Sequence, residues 1–598
     1  MHQIVEMSTV SFLKQITCKA IFELYQIELL ENDIQINETK PEFEGDYTIV
    51  LFSLIKQLKK SPEVLGNEIG DYLKQNNTSE ISDFNIIKGF LNITITNNYW
   101  LHFLQTNYNS VLLKGTNQQA KKVMVEYASP NTNKPLHLGH LRNIFLGWSI
   151  AEIFKNNGCE VVKTCIVNDR GIHICKSMIA WQMFANAATP ASTNTKGDHF
   201  VGDYYVKFND EYKKQVEELI SAGKTKEDAE KNAPIMLQTQ QMLLDWESGK
   251  PEIIKLWKEM NGWVYDGFDI TYNNIGADFD KIYYESNTYL LGKNIVQKGL
   301  EQNVFYKKDD ESVWINLTDD GLDEKLVMRR DGTSVYITQD IGLAEQKYNE
   351  YNCEKSIYVI GDEQNYHMKV LKLICQKLQL PSADGIEHLS YGMVELTTGK
   401  MKSREGTVVD ADDIVNEMIA IAKQRTEELG KVKDFTKEEL EILYKTIGLG
   451  ALKFFLLRVD PKKRMIFNPE ESIDFHGFTG PFIQYTHARI KSVLRKVDTS
   501  FDGSINNNDL LKLEKDLIIC LEQYATIVNE AMQENDPSKI AIYIYQVAKT
   551  FNSFYTEHSI VNAETEEKKK LRLQLALFTA KTIKSAMHLL GIDVPERM

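Results

Sequence analysis

The chain has 598 residues, 43% of them apolar and 26% charged, and its 69 Lys and Arg against 84 Asp and Glu give a formal net charge of −15. This is the composition of an ordinary globular protein of three to five domains, and it excludes the collagen-like, disordered and mini-protein classes. The seven cysteines are scattered and have no C-x-x-C spacing, which predicts a cytoplasmic protein without disulfides or structural zinc. The sequence shows no basic segment followed by an apolar leader and no apolar run of about 18 residues. We therefore expect neither export nor a membrane-spanning helix.

The N-terminal residues have mixed α and β character. Apolar residues at helical spacing come first, and the alternating run FLNITIT at 90–96 then predicts a strand. The polar stretch KGTNQQ at 114–119 is typical of a linker. We therefore predict a small α+β domain over residues 1–115.

After the linker the pattern changes to strand, loop, helix and strand. A helix from about Leu136 keeps apolar residues at i, i+3, i+4 and i+7 and ends at Asn157-Gly158. Such a unit predicts a parallel sheet with right-handed crossovers. We expect a Rossmann-type core over residues 120–410, with a helical insertion at about 186–265.

From about Asp412 the pattern is almost purely helical, without a strand-like run. We predict a helical connective region at 411–478 and an all-α domain at 479–598. The expected fold class is a multidomain α/β protein, in which a Rossmann-type parallel-sheet core stands between a small N-terminal α+β domain and an all-α C-terminal domain.

The segment EYASPNTNKPLHLGH at 126–140 contains the first chemical motif. His137 and His140 flank Gly139 at the start of the predicted helix, at the edge where open α/β sheets bind ligands. Helix N-termini attract phosphate, imidazoles donate to its oxygens, and a glycine lets a flat base approach the backbone. The motif favours a nucleotide site without a Walker A loop, and the alternative is a histidine pair on a solvated helix start.

A basic loop, GKMKSREGTVV at 399–409, is the second motif. Its Lys400, Lys402 and Arg404 are suited to holding a triphosphate. Alone, the loop is better explained as a solvated turn. Together with the two histidines it favours a nucleotide-binding enzyme.

The H-x-G-H motif and the distal K-M-x-x-x loop resemble the HIGH and KMSKS signatures of class I aminoacyl-tRNA synthetases. The chain is most similar to the arginyl-tRNA synthetase family, and the resemblance runs along its whole length. The matching segments are FEGDY (43–47), EYASPNTNKPLHLGHLRN (126–143), DGTSVYITQDIG (331–342), YVIGDEQNYHMK (358–369), GPFIQYTHARI (480–490) and LLGIDVPERM (589–598).

The resemblance implies a ligase that activates L-arginine with ATP to arginyl-adenylate and pyrophosphate, then transfers the arginyl group to the 3′-terminal ribose of tRNA(Arg) and releases AMP. It also implies an N-terminal domain that contacts the tRNA elbow and a helical anticodon-binding domain that begins near Gly480. Mg²⁺ would enter with ATP, and no metal site of the protein itself is predicted. We expect a cytoplasmic monomer.

For ATP, the resemblance implies that both imidazoles support the α-phosphate during an in-line displacement, which needs positioning and charge stabilisation more than covalent catalysis. Ser403 stands where KMSKS has its fourth-position lysine. By resemblance, Lys134, just ahead of the HIGH element, would supply the missing positive charge. How the phosphate contacts are divided among the remaining cations stays open. The implied catalytic residues are Lys134, His137, His140, Lys400 and Arg404. The implied ATP-binding residues are His137, Gly139, His140, Lys400, Met401 and Lys402.

An arginine pocket needs carboxylates that pair with a planar guanidinium, because bidentate pairing separates arginine from lysine. By resemblance, Asp340 is that acceptor and Tyr336 packs on the guanidinium; if residues 336–340 are helical, the i,i+4 spacing puts both on one face. Without the resemblance, each candidate is better explained as a surface or capping residue. The implied arginine-binding residues are Ser129, Asn131, Glu285, Tyr336, Asp340 and Gln364.

The stretch 485–496 combines aromatic and basic side chains, which suits base stacking and phosphate contact. A solvated basic helix face is the alternative. The resemblance assigns tRNA contacts to Tyr485, Arg489 and the terminal Met598. His199, in the insertion, has no chemistry that requires it.

Three other classes of function stay open on the sequence. One is a class I synthetase for cysteine or lysine, although no Cys/His zinc cluster supports the cysteine enzyme. Another is a tRNA-independent nucleotidyltransferase, which would share the H-x-G-H site but would not need the long helical tail. The third is a non-catalytic RNA-binding scaffold.

Overall fold

The computed structural model describes residues 8–40, 42–109, 121–396, 409–430, 434–497 and 509–598. Within these ranges no helix combines the length and the apolar content needed to cross a membrane. The fold class is the one predicted, because a parallel sheet forms the centre of the chain between an N-terminal α+β region and a helical C-terminal region.

The N-terminal region is a four-stranded antiparallel sheet with helices packed on it. Its elements are α1 (Thr9–Tyr25), β1 (Ile36–Glu38), β2 (Tyr47–Val50), α2 (Phe52–Leu58), α3 (Pro62–Asn76), β3 (Ile81–Ile87), β4 (Phe90–Ile95) and α4 (Asn97–Asn107). The strand order is β1-β2-β4-β3. The strand predicted at 90–96 is therefore a central strand of this sheet, and the region has the predicted α+β character.

The central region alternates strands and helices. Its first half consists of β5 (Lys122–Glu126), α5 (Leu138–Asn156), β6 (Glu160–Val167), α6 (Ile172–Phe184), α7 (Pro190–Thr193), α8 (Gly197–Ser221), α9 (Lys226–Asn232), α10 (Pro234–Glu247), α11 (Pro251–Ile275) and β7 (Lys281–Tyr284). Its second half consists of α12 (Glu285–Thr288), α13 (Lys293–Glu301), β8 (Tyr306–Lys307), β9 (Val313–Ile315), β10 (Lys325–Met328), α14 (Tyr336–Tyr351), β11 (Lys355–Gly361), α15 (Asn365–Lys377), β12 (Ile386–Tyr391) and β13 (Val394–Leu396).

Five parallel strands form the central sheet in the order β12-β11-β5-β6-β7. The chain moves outward from β5 through β6 and β7, then returns to add β11 and β12 on the other side. The order thus reverses between β5 and β11, and open α/β sheets bind ligands at the carboxyl ends of their strands at such a point. Helix α5, which carries the H-x-G-H motif, starts there.

Two features interrupt the alternation of strands and helices. Helices α7 to α11 separate β6 from β7, in the region of the predicted insertion. Strands β8, β9 and β10 form a separate antiparallel sheet. The sequence did not predict this sheet, because each strand has only two to four residues and so shows no clear alternation.

From Ala411 onward, the described residues are helical except for one strand. Its elements are α16 (Ala411–Glu428), α17 (Lys437–Leu457), β14 (Met465–Phe467), α18 (Pro469–Ser472), α19 (Gly480–Leu494), α20 (Lys512–Glu522), α21 (Tyr524–Glu534), α22 (Ser538–Glu557) and α23 (Glu566–Leu589). The expectation of no strand after Asp412 is wrong, because β14 pairs with β13 in parallel. Three residues are too few to reveal alternation, and the partner strand lies in another part of the chain.

The N-terminal region packs on the C-terminal helices through buried polar contacts. The carboxylate of Glu522, in α20, accepts the backbone N–H of Thr9 at 2.7 Å and the hydroxyl of Tyr47 at 3.2 Å. Lys515, also in α20, pairs with Asp46 at 2.8 Å. Because Thr9, Tyr47 and Glu522 are buried, each needs its partner. The half-buried pair of Lys515 and Asp46 adds to the same polar interface.

Candidate active site at the carboxyl edge of the central sheet

The turn that leaves β5 has an unusual backbone. Ala128 and Ser129 have φ values of +77° and +43°, a left-handed conformation that costs non-glycine residues free energy and is common at functional sites. Asn143, from α5, accepts the N–H of Ala128 at 2.6 Å and donates to the carbonyl of Val359, in β11, at 2.7 Å. This buried amide therefore ties the turn to the point where the sheet order reverses.

The two imidazoles of the motif are held by backbone amides at the start of α5. The N–H of Gly139 donates to Nδ1 of His137 at 3.1 Å, and the N–H of His137 donates to Nδ1 of His140 at 3.1 Å. The ring centroids lie 3.9 Å apart. Since Nδ1 accepts in both rings, the proton of each neutral ring is on Nε2, and each ring keeps one N–H donor for a ligand.

The same environment keeps both imidazoles uncharged. Burial, reinforced by the charge of Lys134, lowers the pKa of His137 to about 4. Burial also lowers the pKa of His140 well below its usual value, with His137 and Lys134 adding to the effect. At neutral pH the pair therefore offers two neutral hydrogen-bond donors beside a lysine.

A cleft of ≈1040 Å³, the sheet-edge cleft, opens at the carboxyl ends of β5, β6 and β7. Of the residues assigned by resemblance, it brings together Asn131, Lys134, Glu285 and Tyr336. Its other charged or aromatic lining residues are Arg170, His173, Tyr205, Glu247, Tyr289, Lys293 and Arg329. One cavity thus holds the lysine just ahead of the imidazole pair, a carboxylate and the exposed ring of Tyr336.

Glu285 follows β7 and is positioned by its neighbour. Ser286 donates both its N–H, at 2.8 Å, and its hydroxyl, at 2.7 Å, to the buried carboxylate of Asp169. Burial, with the charges of Asp169 and Asp340 adding to it and that of Arg170 opposing it, raises the pKa of Glu285 to about 6. A bound cation would favour its ionised form.

Tyr336 and Asp340 belong to the first turn and a half of α14, so their i,i+4 spacing puts both on one helix face. The Tyr336 side chain lines the cleft and is 74% exposed. Asp340 lies one turn further on, and its Oδ2 is 2.6 Å from Nε2 of His367, in α15. This histidine holds the carboxylate in place.

Other predicted site residues do not line the sheet-edge cleft. Ser129, His137, His140, Asp340 and Gln364 are not among the residues that line the sheet-edge cleft. Gln364 is exposed on a 3₁₀ turn just before α15. Residues 399–408 of the second motif lie outside the described residues; they include the assigned Lys400, Met401, Lys402 and Arg404, and Ser403.

On the C-terminal side, α19 carries Tyr485 and Arg489, two of the three residues assigned to tRNA. The guanidinium of Arg489 lies 4.9 Å from the ring centre of Tyr485 and 5.6 Å from that of Tyr555, and it donates to Asn552. Arg489 and Tyr485 are half-buried, and Met598 is partly buried against the main hydrophobic core. Tyr485 and Arg489 therefore lie together on one helix.

Other polar and basic residues in and just after α19 do not form the solvated basic face that was the alternative on the sequence. His487 is buried, and its Nδ1 lies 2.9 Å from the carbonyl of Pro595. Lys491 pairs with the carboxylate of Glu596 at 3.0 Å, and Arg495 donates to its carbonyl at 2.9 Å. These side chains hold the C-terminal segment on α19.

Sequence reasoning did not single out Asn143, Asp169 or His367, although each fixes part of the site. Asp169 carried a signal, because an acidic residue directly after a parallel strand lies at the ligand-binding edge. The role of Asn143 depends on a β11 carbonyl and that of His367 on a carboxylate of another helix. No local pattern reveals such contacts.

Three family models match the chain. One described as tRNA synthetases class I (R), catalytic domain, matches residues 104–468. One described as the DALR anticodon binding domain matches residues 483–598, and one described as the arginyl tRNA synthetase N terminal domain matches residues 11–95. Together they account for most of the chain.

Two similar sequences and one similar structure agree with these matches. An arginine–tRNA ligase of Flavobacterium psychrophilum is 52% identical, with 97% of this chain and 98% of the relative covered. One of Parabacteroides distasonis is 51% identical, with the same coverage. The solved arginyl-tRNA synthetase of Thermus thermophilus superposes with a TM-score of 0.81 at 24% identity, covering 99% of this chain and all of the other, and so shares the fold.

Proposed function

The chain belongs to the arginyl-tRNA synthetase family, and from that premise we propose how its residues carry out the reaction. The enzyme joins arginine to tRNA with ATP. The carboxylate of arginine attacks the α-phosphorus of ATP, so that arginyl-adenylate forms and pyrophosphate leaves. The 3′-terminal ribose hydroxyl of tRNA(Arg) then attacks the acyl carbon, and AMP leaves.

In the proposed activation step, His137 and His140 donate through Nε2–H to the α-phosphate. Their geometry supports this, because both Nδ1 atoms already accept backbone amides. The N-terminus of α5 adds its dipole, and Lys134 adds a full charge at the cleft wall. These groups stabilise the negative charge of the transition state without a covalent step.

We assign the other phosphate contacts to the second motif. Lys400 and Arg404 would stabilise the leaving pyrophosphate, and Met401 and Lys402 would contact ATP. Gly139 would let the nucleotide approach the start of α5. Mg²⁺ would enter bound to ATP.

For arginine recognition, we propose that Asp340 accepts the guanidinium in a bidentate pair and that Tyr336 packs on it. Glu285 would add a second carboxylate, and Ser129 and Asn131 would hold the α-amino group, with Gln364 as a further polar contact. Lysine is a point charge and would leave part of this set unpaired, at about 1–3 kcal/mol for each buried polar group. This penalty accounts for selectivity without an editing domain.

For tRNA, we propose that Tyr485, Arg489 and Met598 contact the anticodon side. The stacked arrangement of Arg489 and Tyr485 supports this, because unpaired bases are read by stacking and by edge hydrogen bonds. We further propose that the enzyme acts as a monomer in the cytoplasm.

The observation that carries the proposal is the sheet-edge cleft, which joins Lys134 of the motif to Glu285 and Tyr336. The test is aminoacylation of bulk tRNA with labelled arginine or lysine. We expect Asp340→Asn to lose discrimination against lysine; if it discriminates as well as the wild type, the pocket assignment is wrong.

A second test concerns the imidazoles. We expect His140→Ala to lower ATP–pyrophosphate exchange, measured with tRNA present, by about 100-fold or more, the usual cost of removing one preorganised donor. Binding of tRNA should be retained, because the proposed anticodon-side contacts, Tyr485, Arg489 and Met598, do not include the imidazoles. Unchanged exchange in this variant would contradict the proposed role of the motif.

A further inference from the structure

A cluster of charged side chains lies beside the H-x-G-H motif, and the site described above does not use it. Its members come from α8 and the residue before it, from α11 and from the start of α16. We call it the α8–α16 cluster, and it consists of Lys196, Asp198, His199, Thr271, Asp410 and Asp412.

Lys196 and Asp412 form the centre of this cluster. The ammonium of Lys196 lies 2.7 Å from Oδ2 of Asp412 and 3.0 Å from Oδ2 of the fully buried Asp198. Thr271 donates to Oδ1 of Asp412 at 3.0 Å. The lysine supplies a cation that buried carboxylates require.

His199 completes the cluster. Its Nε2 is 3.2 Å from Oδ2 of Asp410 and 3.2 Å from Oδ2 of Asp412. Burial opposes its charging, but the hydrogen bond to Asp412 and the charges of Asp410 and Asp198 outweigh burial and raise the pKa of His199. Burial likewise opposes ionisation of Asp412, yet its bonds to His199 and Lys196 lower its pKa to about 2.

The cluster is connected to the motif through the backbone. The N–H of Leu138 donates to the carbonyl of Val409 at 3.2 Å, and the N–H of Ala411 donates to the carbonyl of Leu136 at 2.9 Å. Asp410 thus lies directly opposite His137 in a short antiparallel bridge. Because His137 is the residue between the two bonds, its backbone position depends on where residues 409–411 lie.

Helix α8 also contacts the loop that leads into the motif. A Cβ atom at Gly202 would lie 2.9 Å from Cδ of Pro135, so only a glycine lets the helix approach this closely. The same helix carries His199, one turn earlier. It therefore contacts both the chain before His137 and, through His199, the chain paired with it.

We propose that the α8–α16 cluster is a positioning element for the H-x-G-H imidazoles, in which His199 and Asp412 fix residues 409–411 against Leu136–Leu138. His199 and Asp412 are positioning residues, since they act on the substrate only through His137. The inference deepens the proposed function and rests on it. The inference gives His199 a role that the amino-acid sequence did not indicate.

The test compares His199→Gln and Asp412→Asn with the wild type in ATP–pyrophosphate exchange, with tRNA present. We expect kcat to fall by about 10- to 100-fold, the cost of misplacing a catalytic group by up to about 1 Å. The KM for arginine should stay within about twofold, because Glu285 and Tyr336 lie outside the cluster. Thr271→Val removes the hydroxyl that donates to Asp412 and accepts from Lys196, but it removes no charge. It should give a smaller loss and serves if a charged variant does not fold.

The pH profile provides a second readout. The groups that face His199 are Asp198, Asp410, Asp412 and Lys196. Because the pKa of His199 is raised from its ordinary value of 6.5, the imidazole is charged and paired with the carboxylates below pH 6.5. These ion pairs are lost as the pH rises through the raised pKa. We expect the wild-type kcat to decline over that interval, and the decline to be absent in His199→Gln.

The matched control is Lys568→Met, which breaks a buried ion pair with Glu514 at 2.6 Å between α23 and α20. It should lower Tm but leave kcat per folded molecule and the pH profile unchanged. The inference is overturned if the cluster variants behave like this control, or if their KM for arginine rises as much as kcat falls. Failure of wild type to exchange arginine at all would instead overturn the proposed function.

Discussion

Nε2 of His367 lies 2.6 Å from Oδ2 of Asp340, and both side chains are about one-third exposed. The histidine therefore orients the carboxylate proposed to accept the guanidinium, and a bidentate pair would use Oδ1 and the second lone pair of Oδ2. We expect His367→Ala to raise the KM for arginine by about 2- to 10-fold, the equivalent of one net hydrogen bond of 0.5–1.5 kcal/mol. Steady-state exchange measures this. An unchanged or lower KM would show that His367 does not assist arginine binding.

The pKa of Glu285, about 6, predicts how arginine binding depends on pH. A proton and a guanidinium compete for the same carboxylate, so binding weakens as the pH falls through 6. For a single group with this pKa, the KM for arginine should rise about 10-fold from pH 7 to pH 5. Glu285→Gln should show a higher KM with little pH dependence. A flat wild-type profile over this range, with the enzyme still folded, would remove Glu285 from the pocket.

Gly139 is proposed to let the nucleotide approach α5, and it also leaves room for the His137 ring. A Cβ at this position would lie 3.0 Å from Cε1 and 3.1 Å from Nδ1 of His137, so Gly139→Ala should displace the ring and lower kcat by about 10- to 100-fold. Tm should hold or rise, because alanine is the better helix former by about 1 kcal/mol. Gly262→Ala is the control, since its Cβ would meet open space; equal kcat in both variants would refute the steric argument.

Lys347 and Glu126 form an ion pair whose side chains are 1% and 8% exposed. Lys347→Met would leave the carboxylate buried without its partner, and we expect the free energy of unfolding to fall by about 3–5 kcal/mol. Urea denaturation measures this loss. The double variant Lys347→Met with Glu126→Gln should recover much of the lost stability, because no unpaired charge remains buried. If it is as unstable as Lys347→Met alone, the loss comes from packing and not from the buried charge.

The sequence predicts the parts of this molecule that depend on local pattern. The periodicity after Leu136 predicts α5 and thereby the place of the H-x-G-H motif. The helical state of α14 makes the i,i+4 argument for Tyr336 and Asp340 valid. Their roles with substrate stay predictions.

Long-range contacts are what the sequence does not predict. His199 meets Asp412 across 213 residues, and Asn143 meets Val359 across 216. Each pair is made by the packing of separate elements, so neither has a local signature. Strand β14 is missed for the same reason, since three residues become a strand only through their partner.

The bond between Thr9 and Glu522 spans 513 residues. At 5–20 residues per second, a ribosome needs roughly 25–100 s to reach the acceptor after making the donor. During that time the Tyr47 hydroxyl and the Thr9 amide do not have the Glu522 carboxylate as a partner. The nascent enzyme therefore forms this contact only after Glu522 has been made, and products truncated before Glu522 cannot form it.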